Sequence, residues 1–495
     1  MKLDNWFKQK GYNLGAYKEM LPYIELWKQW HAGHVPSFHN YTINNGRTNV
    51  RHTKRTLNMA NQICKDFADL LLNEKVQYNI GDEVLTQTII NKVLDPNNFQ
   101  ELSNSGQELT MALGTGAYVK RLVNLELNTV TGVVTKGEDT NIEIDFLTAD
   151  KIIPLRYNGK KVYDCAFIST TVDKGNNVTC ISIHKKEETE YVIENYYFIE
   201  DNYGNMKRYD MNGSLEVFHT GTEMPWFNIV RPNISNTINI DSPYGISVFH
   251  TTIPQLMGVD NIYDSFINEF VLGKKRIFID PSLMKVDTLT GEPYFDDADV
   301  TFYQLQGIGG GYGDGSSEPN KMMVESNMSI RSTEHTEALN MALNLISTSV
   351  GLGEGFYTME KGSVMTATQI VSDNSSLYRS IKKHEISIEN ALFDFFKSIL
   401  EIGEVYNIDG VTTTIVNEEL GTQLADVSID FDDSIIEDTE AIVMRARMEA
   451  DGGYISKIQY YIDTKKMTRK QATEFYQLQQ EEMGLSDDIE MEEDI

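Results

Sequence analysis

Four histidines, His31, His34, His39 and His52, crowd one Trp- and Tyr-rich stretch that includes WHAGHVPSFH. Imidazoles this close together are common ligands of zinc and copper. A site of that kind also calls for cysteines or acids at ligand spacing, and Cys64, Cys165 and Cys180 are far apart with no C-x-x-C. No metal is therefore assigned. Two acidic pairs, Asp296 with Asp297 and those in DFDDS at 430–434, could serve a polysaccharide hydrolase, but that chemistry needs two carboxyls held at a fixed separation across a cleft. Solvated turns account for them as well. The chain contains no Walker A sequence, no H-E-x-x-H, no G-x-S-x-G and no strand–G-x-G-x-x-G–helix. The glycine run at 309–315 lacks the G-K-[ST] of a phosphate cradle and reads as a flexible hairpin tip. His384 falls on an apolar helix face and reads as a packing residue. No catalytic residue, cofactor site or metal site is assigned, and the chain is read as not an enzyme.

The whole molecule bounds what remains. Its 495 residues exceed one ordinary core, and 41% hydrophobic with 23% charged residues is a globular composition. Three scattered cysteines point to a reducing compartment. The N-terminus shows no signal-peptide pattern and no run approaches the length of a membrane span, so a soluble, cytoplasmically made protein with no membrane partner is expected. The net charge of −30 argues against tight nucleic-acid binding, which draws on Lys and Arg releasing counterions from phosphates. Charge is uneven: residues 1–75 hold 11 Lys+Arg and 6 Asp+Glu, whereas 401–495 hold 7 and 24. The segment 484–495 reads as a disordered acidic tail.

Hydrophobic spacing then places the elements. Leu57, Ala60, Cys64, Phe67 and Leu71 make one helix face, and Leu256, Val259, Tyr263, Phe266 and Phe270 make another ending near Gly273. Between them, 141–230 alternates β-branched and aromatic runs with Asn, Gly and Asp, the pattern of strands. Short strands fill 277–327, a further helix follows to Val350, and the longest helical pattern covers about 365–404. There Ile381, Ile388, Phe395 and Ile402 recur every seven residues, with Leu377, Ala391 and Leu392 beside them. Three short helices end the chain, at about 437–450, 454–463 and 468–483, with Thr468 as an N-cap. The fold class is α+β.

The stretch between the last two long helices reads ISTSVGLGEGFYTMEKGSVMTATQI. Gly351, Gly353 and Gly355 each cost about 1 kcal/mol against Ala in a helix, so a pliable loop is expected, tipped by Phe356, Tyr357, Thr358 and Met359. Lys361 beside it, and the trio Lys274, Lys275 and Arg276 after the earlier helix, are the cations that could meet phosphate. Capping of a helix dipole explains the trio equally well.

Four strings, LNMANQICKDFADLLLNE (57–74), ALGTGAYV (112–119), SPYGISVFHTTIPQLMGVDNIYDSFINEFVLGKKRIF (242–278) and TATQIVSDNSSLYRSIKKHE (366–385), together with the order of elements, resemble the portal proteins of tailed bacteriophages, particularly long-tailed phages of Gram-positive hosts. The resemblance runs from about residue 20 to about residue 480. It implies a homo-oligomeric ring of about twelve copies on a cyclic axis, standing at one capsid vertex of the virion, with long helices around a central channel for double-stranded DNA. It further implies a wing over 1–249 joined by the long helix 365–404, stem helices at 250–274 and 328–350, a clip at 275–327 as a small α/β excursion, a tunnel loop at 351–364, and a mainly helical crown at 405–483. The implied partners are the terminase large subunit, the head-tail adaptor, and the major capsid and scaffolding proteins. Phe266 and Phe270 are implied in subunit packing. A phage-associated polysaccharide or cell-wall hydrolase, or a ring scaffold without DNA, stand as alternatives.

Overall fold

A computed structural model describes residues 3–44, 46–127, 134–201, 205–211, 215–273, 276–279, 285–286, 293–294, 302–304, 323–326, 330–359, 367–417, 421–431, 439–465 and 469–482. Lys274, Lys275, Asp296, Asp297, the glycine run 309–315, Lys361, Thr468 and the tail 484–495 lie outside the described residues.

The main core forms where amphipathic helices close on strands. Helices α1 (Gly15–His31), α2 (Met59–Leu71) and α3 (Phe99–Leu113) pack together. In α2 the expected face is buried, with Ala60, Cys64, Phe67 and Leu71 all at 1% exposure or less. A three-stranded sheet has Gly116–Leu127 at its centre, between Phe227–Val230 and Val134–Thr148. A second sheet runs antiparallel through Met206–Arg208, Tyr191–Glu200, Asn176–Lys186, Lys161–Asp173 and Ile152–Asn158, and Val217–His219 also pairs with Tyr191–Glu200. This is the strand-rich region expected from 141–230.

Helix α4 (Ile253–Leu272) opens with a proline in its first turn, where the missing N–H costs nothing. Its partner α5 (Ser332–Val350) runs antiparallel to it. Thr252 Oγ1 lies 2.9 Å from Ser349 Oγ at one end of the pair. At the other, the Arg331 guanidinium donates two 3.0 Å bonds to the Glu269 carboxylate. Burial fades along α4, from Leu256 and Val259 in the core to Phe270 and Val271, each 44% exposed. The two helices thus start in the core and leave it. The described residues between them are short strands: Arg276–Ile279 pairs parallel with Phe302–Gln304 and antiparallel with Met323–Ser326. Among the described residues of 276–326 there is no helix, where a mixed α/β excursion was expected.

Helix α6 (Ala367–Val405) spans 39 residues. Ile381, Ile388, Phe395 and Ile402 are all buried, as their seven-residue spacing requires. Phe395 stacks on Phe99 with centroids 5.0 Å apart. His384 is buried on the same face, edge-on to Phe67 and accepting the Asn233 N–H at 3.1 Å, which makes it a packing residue.

The chain after α6 departs from the expected helical end. Thr414–Asn417 and Gly421–Leu424 form a hairpin, and Val427–Asp430 pairs with Gln77–Ile80. Ile408, Val411, Val427 and Ile429 belong to the main core. Residues 405–431 are therefore part of the body, and the three C-terminal helices are Thr439–Asp451, Lys457–Lys465 and Arg469–Glu482 among the described residues.

Candidate functional site

The glycine loop departs from α5 at a left-handed cap. Gly351 has φ of 86°, and a Cβ there would stand 2.9 Å from Ser380 Oγ, so both conformation and space select glycine. Gly353 and Gly355 also have positive φ. Leu352, immediately after the cap, turns inward and is buried.

From there the loop folds back along α5 and is tied to it. The Gly355 N–H donates to Asn344 Oδ1 at 2.8 Å, the Tyr357 N–H to Ser347 Oγ at 3.0 Å, and the Met359 N–H to Asn340 Oδ1 at 2.9 Å. Asn340, Asn344 and Ser347 are four and three residues apart, which puts them on one helix face. The Tyr357 hydroxyl donates to Asp66 Oδ2 on α2 at 2.5 Å. Burial, and then the Asp66 carboxylate, push the Tyr357 phenol well above its ordinary range. The loop is thus a strapped segment over 351–359, not the limp one its glycines suggest, and Tyr357 belongs to the strap and not to the tip.

Beside the exposed Glu354 and Thr358, the loop's outward side chains are apolar. Phe356 is 38% and Met359 55% exposed, and on α5 Met341 and Leu345 are 69% and 54% exposed one turn apart. Four large apolar side chains exposed on the loop and on the helix it is tied to are the kind of display that marks a contact surface. Thr358 sits between the two exposed tip residues. Reading by sequence alone missed Asn340, Asn344, Ser347 and Asp66. The signal for the first three was polar side chains at helical spacing in the C-terminal half of α5; no local signal marks Asp66.

Removing the strap's side-chain anchor has a bounded cost. Tyr357→Phe is expected to loosen the loop by about 1.5 kcal/mol, since a bond to a charged acceptor is lost. Hydrogen exchange at the Gly355, Tyr357 and Met359 amides should accelerate about tenfold, with the overall melting transition unmoved.

The other sequence candidates are distributed elsewhere. Phe266 meets Phe270 edge-on at 5.0 Å and also lies 5.7 Å from the His335 ring of α5. Phe266 is therefore half-buried inside its own chain, and Phe270 is the exposed member of the pair. Arg276 opens the strand Arg276–Ile279. The histidines form no ligand set. His31 Nε2 is 3.0 Å from Glu108 Oε1, His52 stacks on Tyr41, and His39 is wholly buried with its Nε2 3.1 Å from Asp260 Oδ2. Among the described residues no group of His, Cys, Asp or Glu could hold a metal, and no helix is long and apolar enough to cross a membrane.

No curated protein matches the chain in sequence. Among solved structures, one described as "Neck of native GTA particle computed with C12 symmetry" is similar at a TM-score of 0.36 and 11% identity, covering 81% of this chain and 88% of that one. The family model for phage portal protein, SPP1 Gp6-like, matches residues 12–484, nearly the whole length. The α+β chain with its two projecting helices and strapped glycine loop belongs to that phage portal protein family.

Proposed function

We propose that this chain is the portal subunit of a tailed phage of a Gram-positive host, assembling about twelve copies round a cyclic axis at one capsid vertex of the virion. Double-stranded DNA passes through the ring during packaging and ejection. The clip, 275–327, receives the terminase large subunit and later the head-tail adaptor, while the outer body meets the major capsid and scaffolding proteins. In this reading α4 and α5 are the stem, 351–364 is the tunnel loop, and residues 1–249 with α6 and 405–431 form the wing. The crown begins at Thr439. No catalytic step is assigned to the chain.

The observation that supports this most is the outward surface of the loop and α5. Phe356, Met359, Met341 and Leu345 offer van der Waals contact without a row of cations. In a closed ring, cations would be repeated round the duplex, and counterion release would bind DNA where it must slide. The net charge of −30 acts in the same direction. Lys361, Lys274, Lys275 and Arg276 are the few cations available for brief phosphate contact.

Negative-stain images of the purified chain should show rings with a central hole, and the same chain should restore DNA packaging to heads lacking a portal. A chain that stays monomeric under assembly conditions would rule the ring out; rings that never admit DNA would rule out the channel. Within the ring, Phe270 is one of the exposed apolar stem residues that can meet a neighbour. Phe270→Asp is expected to raise the concentration needed for assembly about tenfold, by placing a charge in a subunit contact, with the monomer's melting temperature unchanged. Assembly at wild-type concentrations would take Phe270 out of the interface.

A further inference from the structure

The strands Asn40–Asn44 and Asn49–Thr53 form a two-stranded hairpin that joins no other sheet. A hairpin of this kind is marginal in water by itself. Here its base is fastened to the outer face of α4. The Lys54 N–H bonds back to the His39 carbonyl at 2.8 Å, while Lys54 Nζ reaches Asn261 Oδ1 at 2.9 Å. Arg55 donates its N–H to Asp264 and its guanidinium to Asn268, at 3.1 and 2.9 Å. Beneath these, Asp260 is buried and accepts from His39 Nε2, Thr56 Oγ1 and the Leu57 N–H. The Val35 N–H donates to His39 Nδ1 at 2.8 Å, which leaves the proton on Nε2 to face the carboxylate.

The hairpin so held has two unlike faces. Register pairs Tyr41 with His52 and Ile43 with Val50 on one side, and Asn40 with Thr53, Thr42 with Arg51 and Asn44 with Asn49 on the other. The first face is apolar and aromatic, yet Ile43 is 47% and Val50 38% exposed. Residues 46–55 contain Arg47, Arg51, Lys54 and Arg55 and no acid.

We infer that this hairpin clamps a second copy of the same chain, its Tyr41–Ile43–Val50–His52 face lying on the neighbour's surface and its basic segment 46–55 drawing it toward an acidic chain. Charge complementarity selects that occupant: the hairpin is a basic projection of a chain whose total is −30. An apolar pair at the centre of the face suits a protein surface, and has nothing to offer a phosphate backbone. The inference rests on the ring reading, and it adds a strap that couples each neighbour directly to the stem helix α4.

The test uses the full chain with p-benzoylphenylalanine in place of Ile43. Irradiation of assembled protein is expected to join copies into covalent dimers, and I43D/V50D is expected to raise the assembly concentration about tenfold without lowering the melting temperature. Rings without dimer adducts, or adducts only to added DNA, would overturn the hairpin contact and leave the ring standing. Dimer adducts without rings would keep the contact and overturn the ring. A chain that gives neither would end both.

Discussion

Rings built from a chain carrying Phe356→Ser and Met359→Ser are expected to form normally and to package DNA about a hundredfold less well or worse. Deleting the whole loop would be a poor test, because Leu352 is a buried core residue and Tyr357 anchors the loop to Asp66; such a chain could fail through its fold. Phe356 and Met359 are the exposed side chains of the described loop residues that carry apolar contact surface, and serine leaves the backbone bonds to Asn340, Asn344 and Ser347 in place. If each tip loses only about 0.3 kcal/mol of contact with the duplex, well under the contribution of one stacked base, about twelve copies on a ring lose roughly 3 to 4 kcal/mol together. If these contacts are made as the duplex advances and not while it rests, that corresponds to a hundredfold or more in a rate. Nuclease-protected DNA per head measures it. Wild-type packaging by the double-serine ring would remove the tip from the translocation pathway and leave the strap as a purely structural element.

Local periodicity made much of this fold legible in the sequence. The seven-residue recurrence of Ile381, Ile388, Phe395 and Ile402 located the long helix and its buried face, because a face that packs must repeat near the helical period. The loop's position was equally legible, since three glycines cannot be cheap inside a helix. Its rigidity was not. Tyr357 and Asp66 are 291 residues apart, and no window of sequence brings them together. The same limit explains 405–431. Its strands are only four residues each, and Val427–Asp430 is fixed by pairing Val427 with Ile80 and Ile429 with Tyr78, a tertiary contact that no local window shows. The histidine-rich stretch misleads in the opposite direction: residues spaced like ligands are separately occupied by Glu108, Asp260 and Tyr41. Spacing suggested a metal alternative, and only geometry gives His31, His39 and His52 separate partners, with His34 stacked on His39.

Acid is expected to weaken the fold between pH 6.5 and 5 by roughly 3 kcal/mol, through two buried imidazoles. Burial pulls His184 down to about 3, with nearby Lys120 adding to it, and pulls His384 down to about 4. Both folded values lie below the ordinary 6.5, so in this window the unfolded chain takes up protons that the folded chain refuses. Stability from these groups is present above 6.5 and is lost as the pH falls toward the folded values, at about 1.4 kcal/mol per pH unit for each histidine once well below 6.5. His184 allows the two contributions to be separated. Its ring lies edge-on to Phe167 and Phe227, at 5.2 and 5.6 Å, and its Nδ1 is buried without a hydrogen-bond partner. His184→Phe should therefore pack without stranding a polar group, and should halve the drop in denaturant midpoint between pH 6.5 and 5. His384, with His250, which burial also pulls down, would carry the rest, and His384 lies on α6 against Phe67, the α2 residue next to the Asp66 that anchors Tyr357. Protonation there should therefore loosen α6 against α2, so the protection factors of the loop amides, taken against the intrinsic exchange rate at each pH, should fall with acid in the His184→Phe chain as well. A midpoint that falls as steeply in His184→Phe as in the parent would show that the proton uptake belongs to other groups.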